Sequence, residues 1–170
     1  MNKLEKIHGT ISLLKRTLRK KAASGNIVCA PKFVFVCGQE LPSNNEPLPP
    51  NTVRSITRKN LEKGTIENAY GSKKKSVMCI ISEYLFEQEL ADDIFSFEAM
   101  LAEISDKIIV PAESAGTFCE LGSFVMDKNI LQKLIVINED KEEYKKSFVS
   151  KGPIKYMEQN DEKSVILYNS

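Results

Sequence analysis

Residues 107–124 read KIIVPAESAGTFCELGSF and join an apolar run to a stretch of small residues that contains Glu120. The run IIVPA carries no charge, which is typical of a strand buried on both faces of a sheet. A segment of helical character follows it without a long loop. A buried strand that passes directly into a helix is the repeating unit of parallel α/β proteins, so this stretch predicts the fold class.

Apolar runs of the same character recur along the chain and predict four further strands. They are KFVFVCG (32–38), SVMCIISE (76–83), KLIVIN (133–138) and VILYN (165–169). Helices are predicted between them at 52–64, 95–106 and 122–132. This alternation predicts a three-layer, Rossmann-like (flavodoxin-like) parallel sheet with helices on both faces.

Two segments interrupt this alternation. Residues 39–51 hold four of the seven prolines and are predicted to form an irregular loop. The segment GSKKK (71–75) is predicted to be a turn with a solvated charge run.

Charge divides the chain into two parts. The net charge is +1, but the first 21 residues hold seven Lys or Arg against one Glu, so this segment carries +6 (7 − 1). We therefore predict a basic N-terminal helix at 1–25 and a single α/β domain at 26–170. The helix either docks on the domain or binds a nucleic acid, and the residues alone leave both possibilities open.

Composition also excludes several classes of protein. No apolar run is long enough to cross a bilayer and none resembles a signal peptide, so we expect a cytoplasmic protein without a membrane partner. The four cysteines form no paired motif and are expected to be reduced. The single histidine, His8, lies in the basic helix, so neither a histidine-based triad nor a metal site is expected.

Ligands of parallel sheets bind at the carboxyl ends of the strands, where loops converge. Four loops follow predicted strands and are candidates for the site. They are CGQE (37–40), SEYLFE (82–87), ESAGTFCELG (113–122) and NEDKEEYKKSF (138–148).

Glu120 in the third of these loops has two interpretations. Thr117 and Glu120 have the spacing of a capping box, in which Glu120 would have a purely structural role. Gly116 would then serve the turn and Gly122 would allow close packing of the helix on the sheet. Alternatively, the helix N-terminus forms a cradle for an anion or ribose phosphate, with Glu120 projecting into it.

Supporting residues are predicted in the other loops, each with a structural alternative. Cys37, Gly38 and Gln39 end the first predicted strand and are candidates for substrate binding, unless they form a plain turn. Gly38 would let a ligand approach the backbone, and Gln39 would bond an amide or a base. Glu83 is a candidate for binding ribose hydroxyls, or else a solvated loop residue. Glu98 is a candidate for lining the pocket, or else a surface residue of its helix.

Two charged residues outside these loops are assigned mainly structural roles. Arg54 is a candidate for pairing with a phosphate, although a surface ion pair is the commoner place for such an arginine. Asp106, directly before the strand at 107–112, is predicted to be a helix-terminal turn residue.

The order of these blocks is similar to a known family. The blocks KFVFVCGQ, ISEYLFE, SFEAMLAEISDKIIV, PAESAGTFCELGSF, KLIVIN and SFVSKGPIKYM resemble the nucleoside 2-deoxyribosyltransferase-like effector proteins of bacterial retron defence systems, over about residues 30–160. The resemblance implies a fold of the nucleoside deoxyribosyltransferase type. It also implies that Glu120 is the catalytic nucleophile and that Gly116 and Thr117 lie in the loop that approaches the sugar.

This chain departs at one position from the nucleoside 2-deoxyribosyltransferases, the parent enzymes of the family that it resembles, and the departure bears on the substrate. Those enzymes have an aspartate, which handles the nucleobase, where this chain has Ser114. A neutral base leaves poorly without an acid, whereas the nicotinamide of NAD⁺ leaves as a neutral molecule and needs none. One carboxylate that meets the oxocarbenium-like sugar would then suffice. We therefore expect an N-glycosidase that uses NAD⁺ or a related nucleotide as substrate and requires no cofactor.

Two other functions stay open at this stage. One is a nucleoside or deoxynucleotide deoxyribosyltransferase or hydrolase, which a second catalytic acid near Glu120 would favour. The other is a non-catalytic nucleotide-sensing or assembly module, which a pocket too closed for a dinucleotide would favour.

The resemblance also implies partners. It predicts a toxic effector held inactive by the retron reverse transcriptase and its RNA-linked single-stranded DNA. A homo-oligomer is expected as well.

Overall fold

A computed structural model describes most of the α/β domain and part of the N-terminal segment. The described residues are 9, 12, 13, 15–17, 20, 21, 23, 24, 32–39, 49–63, 65–67, 73–75, 77–85 and 93–169. The strands are β1 Lys32–Val36, β2 Thr65–Glu67, β3 Lys73–Lys75, β4 Val77–Ile80, β5 Lys107–Pro111, β6 Leu134–Glu139 and β7 Val165–Tyr168. The α-helices of the described residues from 49 onward are α1 Val53–Lys63, α2 Ile94–Ile104, α3 Ala115–Phe124, α4 Lys128–Leu131 and α5 Lys155–Asn160.

Five strands form one parallel sheet in the order β4-β1-β5-β6-β7. Counting only these strands along the chain, the order is 2-1-3-4-5, which is the flavodoxin-like arrangement. The direction of winding therefore reverses between β1 and β5. The predicted fold class is confirmed, including the fifth strand at the end of the chain.

Apolar side chains cover both faces of the sheet. Successive residues of a strand point to opposite faces, so Phe35 belongs to one buried cluster while Val34 and Val36 belong to another. Helices α2 and α3 supply much of the first cluster, where the rings of Phe35 and Phe124 meet edge to face at 6.3 Å. Leu61 of α1 packs against the second. The sheet is thus the middle of three layers.

Two predicted elements are wrong. The helix expected at 122–132 is two helices, because α3 ends at Phe124 and the side chain of Asp127 caps α4 by accepting hydrogen bonds from two of its backbone N–H groups. Gly122 lies inside α3, and a Cβ added there would meet nothing within 4 Å, so it does not serve close packing. The expected turn at 71–75 contains strand β3, which pairs antiparallel with β2.

The chain from 144 to 164 was not assigned to any element from its sequence, apart from the loop predicted at 138–148. It contains the 3₁₀ helix Tyr144–Lys146, a π-helical turn at Ser150–Ile154, helix α5 and a second 3₁₀ helix, Glu162–Ser164. The buried side chains of Ile154 and Met157 attach this segment to the core.

The N-terminal segment contacts the amino ends of the strands. Its described residues between 9 and 23 are helical, and Lys15 donates a hydrogen bond to the Ile104 carbonyl and lies 3.5 Å from Asp106. Asp106 also accepts a hydrogen bond of 2.9 Å from the Phe33 N–H, so it connects strands as well as ending a helix. The boundary near residue 25, and His8, lie outside the described residues.

Among the residues that the structure describes, no helix is long and apolar enough to cross a membrane.

Candidate functional site

Side chains from three of the predicted loops and from α2 meet at the carboxyl edge of the sheet. Cys37 follows β1, Ser82 and Glu83 follow β4, and Glu120 lies on α3 after β5. Glu98 reaches the same place from α2, since it accepts a hydrogen bond from Ser82. The site therefore lies at the switch point between β1 and β5, where open α/β sheets bind ligands.

Arg54 connects the loops after β1 and β4 at one side of this edge. It is 1% exposed, which contradicts the expected surface ion pair. Its Nε donates to the Val36 carbonyl and one Nη donates to the Gln39 carbonyl, both at 3.2 Å. Its two Nη groups bind both carboxylate oxygens of Glu83, with one distance of 2.5 Å. Because these donors are already used, Arg54 fixes the loops after β1 and β4 instead of offering a free site for a phosphate.

Gly38 makes room for this arginine. A Cβ added to Gly38 would lie 2.4 Å from Cδ of Arg54, a distance that no real Cβ tolerates. The glycine predicted to admit a ligand to the backbone is thus required by Arg54. Gln39 next to it is exposed and contributes its carbonyl to the same arginine.

Ser82 links the two halves of the edge and was missed in the sequence. It is 2% exposed, and its Oγ lies 2.8 Å from Oε1 of Glu98 and 3.0 Å from Oε2 of Glu83. A hydroxyl has one hydrogen, so Ser82 donates to one glutamate at a time or accepts from a protonated Glu98. The available signal was a serine in the otherwise apolar end of a buried strand, directly before Glu83.

Glu120 is the central residue of the other half. Burial and then the nearby negative charge of Glu98 raise the pKa of Glu120 to about 8. Burial likewise raises the pKa of Glu98, despite its hydrogen bond from Ser82. Burial, followed by the charges of these two glutamates, raises the pKa of the Cys37 thiol well above its usual value. Near neutral pH the glutamate pair therefore retains a proton and Cys37 stays neutral.

One atom of Glu120 is held without a hydrogen bond. Oε2 is buried and accepts no hydrogen bond, although the side chains of Cys37 and Glu98 are hydrogen-bond partners of the same carboxyl group. An unsatisfied buried carboxyl oxygen destabilises a fold unless something else binds it, so it is characteristic of a reactive or ligand-binding group.

The N-terminus of α3 shows that Glu120 is not a cap. Ser114 is the N-cap, since its Oγ accepts from the Thr117 N–H at 3.3 Å and its own N–H donates to Thr117 Oγ1 at 2.9 Å. The capping box thus begins three residues earlier than predicted, and Glu120 lies in the second turn. The capping interpretation of Glu120 is wrong.

The same geometry changes the roles open to the neighbouring residues. Thr117 is fully buried and its hydroxyl is used in the cap, so it is not available to a sugar in this conformation. Gly116 is exposed in the first turn of α3, and Ser114 is partly exposed. A substrate contact by Gly116 or Ser114 stays a prediction.

Two lysines of the fourth predicted loop form ion pairs within that loop, since Lys141 lies 2.8 Å from Glu139 and Lys145 lies 3.4 Å from Asp140. A role of this loop in the site stays a prediction. Within the described part of the chain, no group of three or more His, Cys, Asp or Glu side chains has the geometry of a metal site.

The fold and the site define an α/β protein with a pair of partly buried glutamates, Glu98 and Glu120, at the switch point of a flavodoxin-like sheet. Residues 50–170 match the family described as "STM3845 retron effector protein". Since this match covers more than half of the chain, the protein belongs to this family of retron effectors.

Two curated proteins of Escherichia coli are similar to the chain. "Retron Ec73 putative ribosyltransferase/DNA-binding protein" is 34% identical over 133 residues, which are 78% of this chain and 40% of that protein. "Retron Ec86 putative ribosyltransferase/DNA-binding protein" is 37% identical over 103 residues, which are 58% of this chain and 34% of that protein. The chain thus spans less than half the length of these relatives.

Proposed function

We propose that this retron effector cleaves the N-glycosidic bond of NAD⁺ or a related nucleotide, with Glu120 as the nucleophile. The observation that supports this most is the buried Glu120 carboxyl at the switch point, with one oxygen that has no hydrogen bond. The word ribosyltransferase in the names of both relatives agrees with glycosidic chemistry.

In the proposed reaction an ionised Glu120 oxygen attacks the anomeric carbon of the ribose. The bond from that carbon to the pyridinium nitrogen breaks, and its electron pair leaves with nicotinamide, which departs neutral and needs no proton. Esterification removes the negative charge of Glu120, so Glu98 releases its proton to solvent. Water then attacks the anomeric carbon of the ribosyl-enzyme ester and restores the Glu120 carboxylate, while the ionised Glu98 accepts the proton of that water. Since the pKa of Glu120 is raised to about 8, the cationic pyridinium would favour the ionised form of Glu120 on binding.

This proposal is tested by replacing Glu120 with glutamine, which keeps the size of the side chain and removes the charge. Purified protein is incubated with NAD⁺ and with a panel of nucleosides and deoxynucleotides, and the released base is measured. We expect Glu120→Gln to lower the rate by about a thousandfold or more. Glu158→Gln, on the exposed side of α5, is the matched control and is expected to keep the native rate.

Each outcome of this experiment separates the candidate functions. A folded Glu120→Gln protein that releases nicotinamide at the native rate would exclude Glu120 as nucleophile. Binding of NAD⁺ by the native protein without any released base would favour a nucleotide-sensing module instead.

A second candidate function is supported by Glu98. This chain has Ser114 where the parent enzymes have an acid, but Glu98 places a second protonatable carboxyl beside Glu120. Such a group supplies the proton that a neutral purine or pyrimidine needs to leave. The alternative is therefore transfer or hydrolysis of a nucleoside or deoxynucleotide.

Glu98→Gln distinguishes the two candidates. If NAD⁺ is the substrate, release of nicotinamide, measured in a single turnover, is expected to fall less than about tenfold, because nicotinamide requires no acid. If a neutral base is the leaving group, cleavage is expected to fall about a hundredfold or more. Robust exchange of deoxyribose between nucleobases by the native protein would contradict the choice of NAD⁺.

We further propose that the protein is a cytoplasmic toxin, held inactive as a homo-oligomer with the retron reverse transcriptase and its RNA-linked DNA. Membership of the retron effector family supports an association with the retron. Co-purification from the native operon tests it, and recovery of the effector alone would contradict it.

A further inference from the structure

A cavity at the opposite edge of the sheet lies between the N-terminal segment and the end of α2. Its volume is about 680 Å³, within the range of small-molecule sites. The charged and polar residues that line it include Lys15, Arg16, Lys20, Glu103, Ser105 and Asp106. Since β5 runs from Lys107 to Pro111, the length of that strand, roughly 16 Å, separates this cavity from the glutamate pair.

Ser105 is the first sign of a ligand here. It is 4% exposed, yet its Oγ has no hydrogen-bond partner. Buried hydroxyls nearly always have a partner, and one without a partner costs free energy. A hydroxyl both donates and accepts, so the Ser105 Oγ is suited to an oxygen-rich ligand that enters the cavity.

The charges that line the cavity favour an anion. Arg16 and Lys20 are exposed and make no ion pair with any described residue. The negative charge of Asp106 is already balanced, since Lys15 lies 3.5 Å and Lys32 lies 3.9 Å from it. Arg16 and Lys20 then face one further carboxylate, that of Glu103, so the lining of the cavity has an excess of one positive charge (3 − 2).

The end of α2 would by itself repel an anion, because a helix C-terminus carries partial negative charge. Two lysines neutralise it. Lys15 donates to the Ile104 carbonyl, and Lys133 donates to the Glu103 carbonyl at 2.5 Å and the Ser105 carbonyl at 3.1 Å. The carbonyls that would oppose an anion are thus capped by cations.

We propose that this cavity binds a phosphate group, with Arg16 and Lys20 as charge partners and Ser105 as a hydrogen-bond donor. The site is independent of the function proposed for Glu120. The phosphate belongs either to a single-stranded polynucleotide or to a small free anion, and the binding experiment below distinguishes these sources.

The test measures binding of a fluorescent ten-nucleotide single-stranded DNA, and competition by inorganic phosphate, to the full chain. The variant Arg16→Gln/Lys20→Gln is expected to bind the DNA about tenfold more weakly or worse. Its dependence on log salt is expected to be shallower by about 1.4, the value for two lost phosphate contacts to a single strand. The control Lys59→Gln/Lys63→Gln removes two exposed charges from α1 and is expected to bind as the native chain does.

Ser105→Ala tests the cavity itself, separately from the charge of the helix. Since Ser105 Oγ has no hydrogen-bond partner within the protein, its removal is expected to leave the melting temperature unchanged or higher, while binding falls at least about threefold. Equal binding by Ser105→Ala and the native chain, or by the two double variants, would overturn the proposal. So would failure of both probes to bind the native chain at millimolar concentration.

The source of the phosphate follows from the same data. Binding of DNA with weak competition by inorganic phosphate supports a polynucleotide. Binding of inorganic phosphate alone, lost in Ser105→Ala, supports a small anion in the same site.

Discussion

Glu83 and Glu120 lie at the same edge of one sheet, yet their carboxyl groups are held in opposite electrostatic states. Burial by itself would raise the pKa of Glu83, but the Arg54 guanidinium outweighs it and holds the pKa below its ordinary value. Glu120 has no such partner, and burial beside Glu98 raises its pKa to about 8. The comparison teaches that position at the carboxyl edge does not set the pKa of a glutamate. The presence or absence of a counterion in its immediate surroundings does.

We expect the ion pair of Arg54 and Glu83 to stabilise the fold. Arg54→Met tests this and is expected to have the largest effect on stability. Removing the guanidinium leaves the Glu83 carboxylate partly buried without its partner and frees two backbone carbonyls. Breaking a buried pair in this way costs about 3–5 kcal/mol of unfolding free energy. Urea denaturation followed by circular dichroism measures the change.

Arg58→Met, one turn further along α1, is the control. Arg58 makes a partly exposed pair with Glu62 at 3.4 Å, so its loss is expected to cost about 0.3–0.5 kcal/mol. Equal costs for the two variants would contradict the structural role of Arg54.

Gly38→Ala also tests the structural role of Arg54 and is expected to have a smaller effect on stability. The new methyl group would lie 2.4 Å from Cδ of Arg54, which is fixed by four hydrogen bonds and has little room to move. Such overpacking costs about 1–3 kcal/mol. Thermal unfolding by calorimetry measures it.

Gly122→Ala is the matched control, because a methyl group there meets nothing within 4 Å inside α3. It is expected to stabilise the protein by about 0.5–1 kcal/mol. A neutral Gly38→Ala would show that Arg54 can leave its position at little cost.

The carboxyl group of Glu120 is expected to destabilise the folded protein at high pH. A carboxyl group with a raised pKa contributes its full stability below its unfolded value, near 4.5, and loses it as the pH rises through about 8. Glutamine mimics the protonated form at every pH. Glu120→Gln is therefore expected to match the native protein at pH 5 and to be more stable at pH 9, on the order of 1–2 kcal/mol.

Denaturation curves at several pH values check this expectation. A difference between Glu120→Gln and the native protein that does not change between pH 5 and pH 9 would mean that Glu120 ionises normally. Since Glu83 has a lowered pKa, its stabilising pair with Arg54 is instead expected to weaken in acid, as the pH falls through the folded pKa of Glu83.

Much of the fold could be predicted from local pattern. The apolar runs located all five strands of the main sheet, because strands covered on both faces must be apolar throughout. The position of Glu120 after β5 also followed from sequence, since a loop after a parallel strand opens on the ligand edge. The hairpin of β2 and β3 was missed, because its short polar strands have no apolar periodicity to detect.

The start of α3 shows where local pattern failed. Ser114 and Thr117 have the residue types of a cap, but so do Thr117 and Glu120, and the sequence does not rank the two. Tertiary structure decides between them: the helix begins at Ala115, and Thr117 is fully buried with its hydroxyl in the cap.

The sequence by itself determined the alternation of strands and helices, and hence which loops meet at the carboxyl edge. These follow from periodicity, which involves only near neighbours along the chain. Only the tertiary structure decided that Arg54 is buried against Glu83, that Ser82 joins Glu83 to Glu98, and that Glu120 is left without a counterion. Arg54 and Glu83 are 29 positions apart in the chain, and Ser82 and Glu98 are 16 apart. The electrostatic state of a carboxyl group is set by such distant neighbours and by burial, which local sequence pattern does not show.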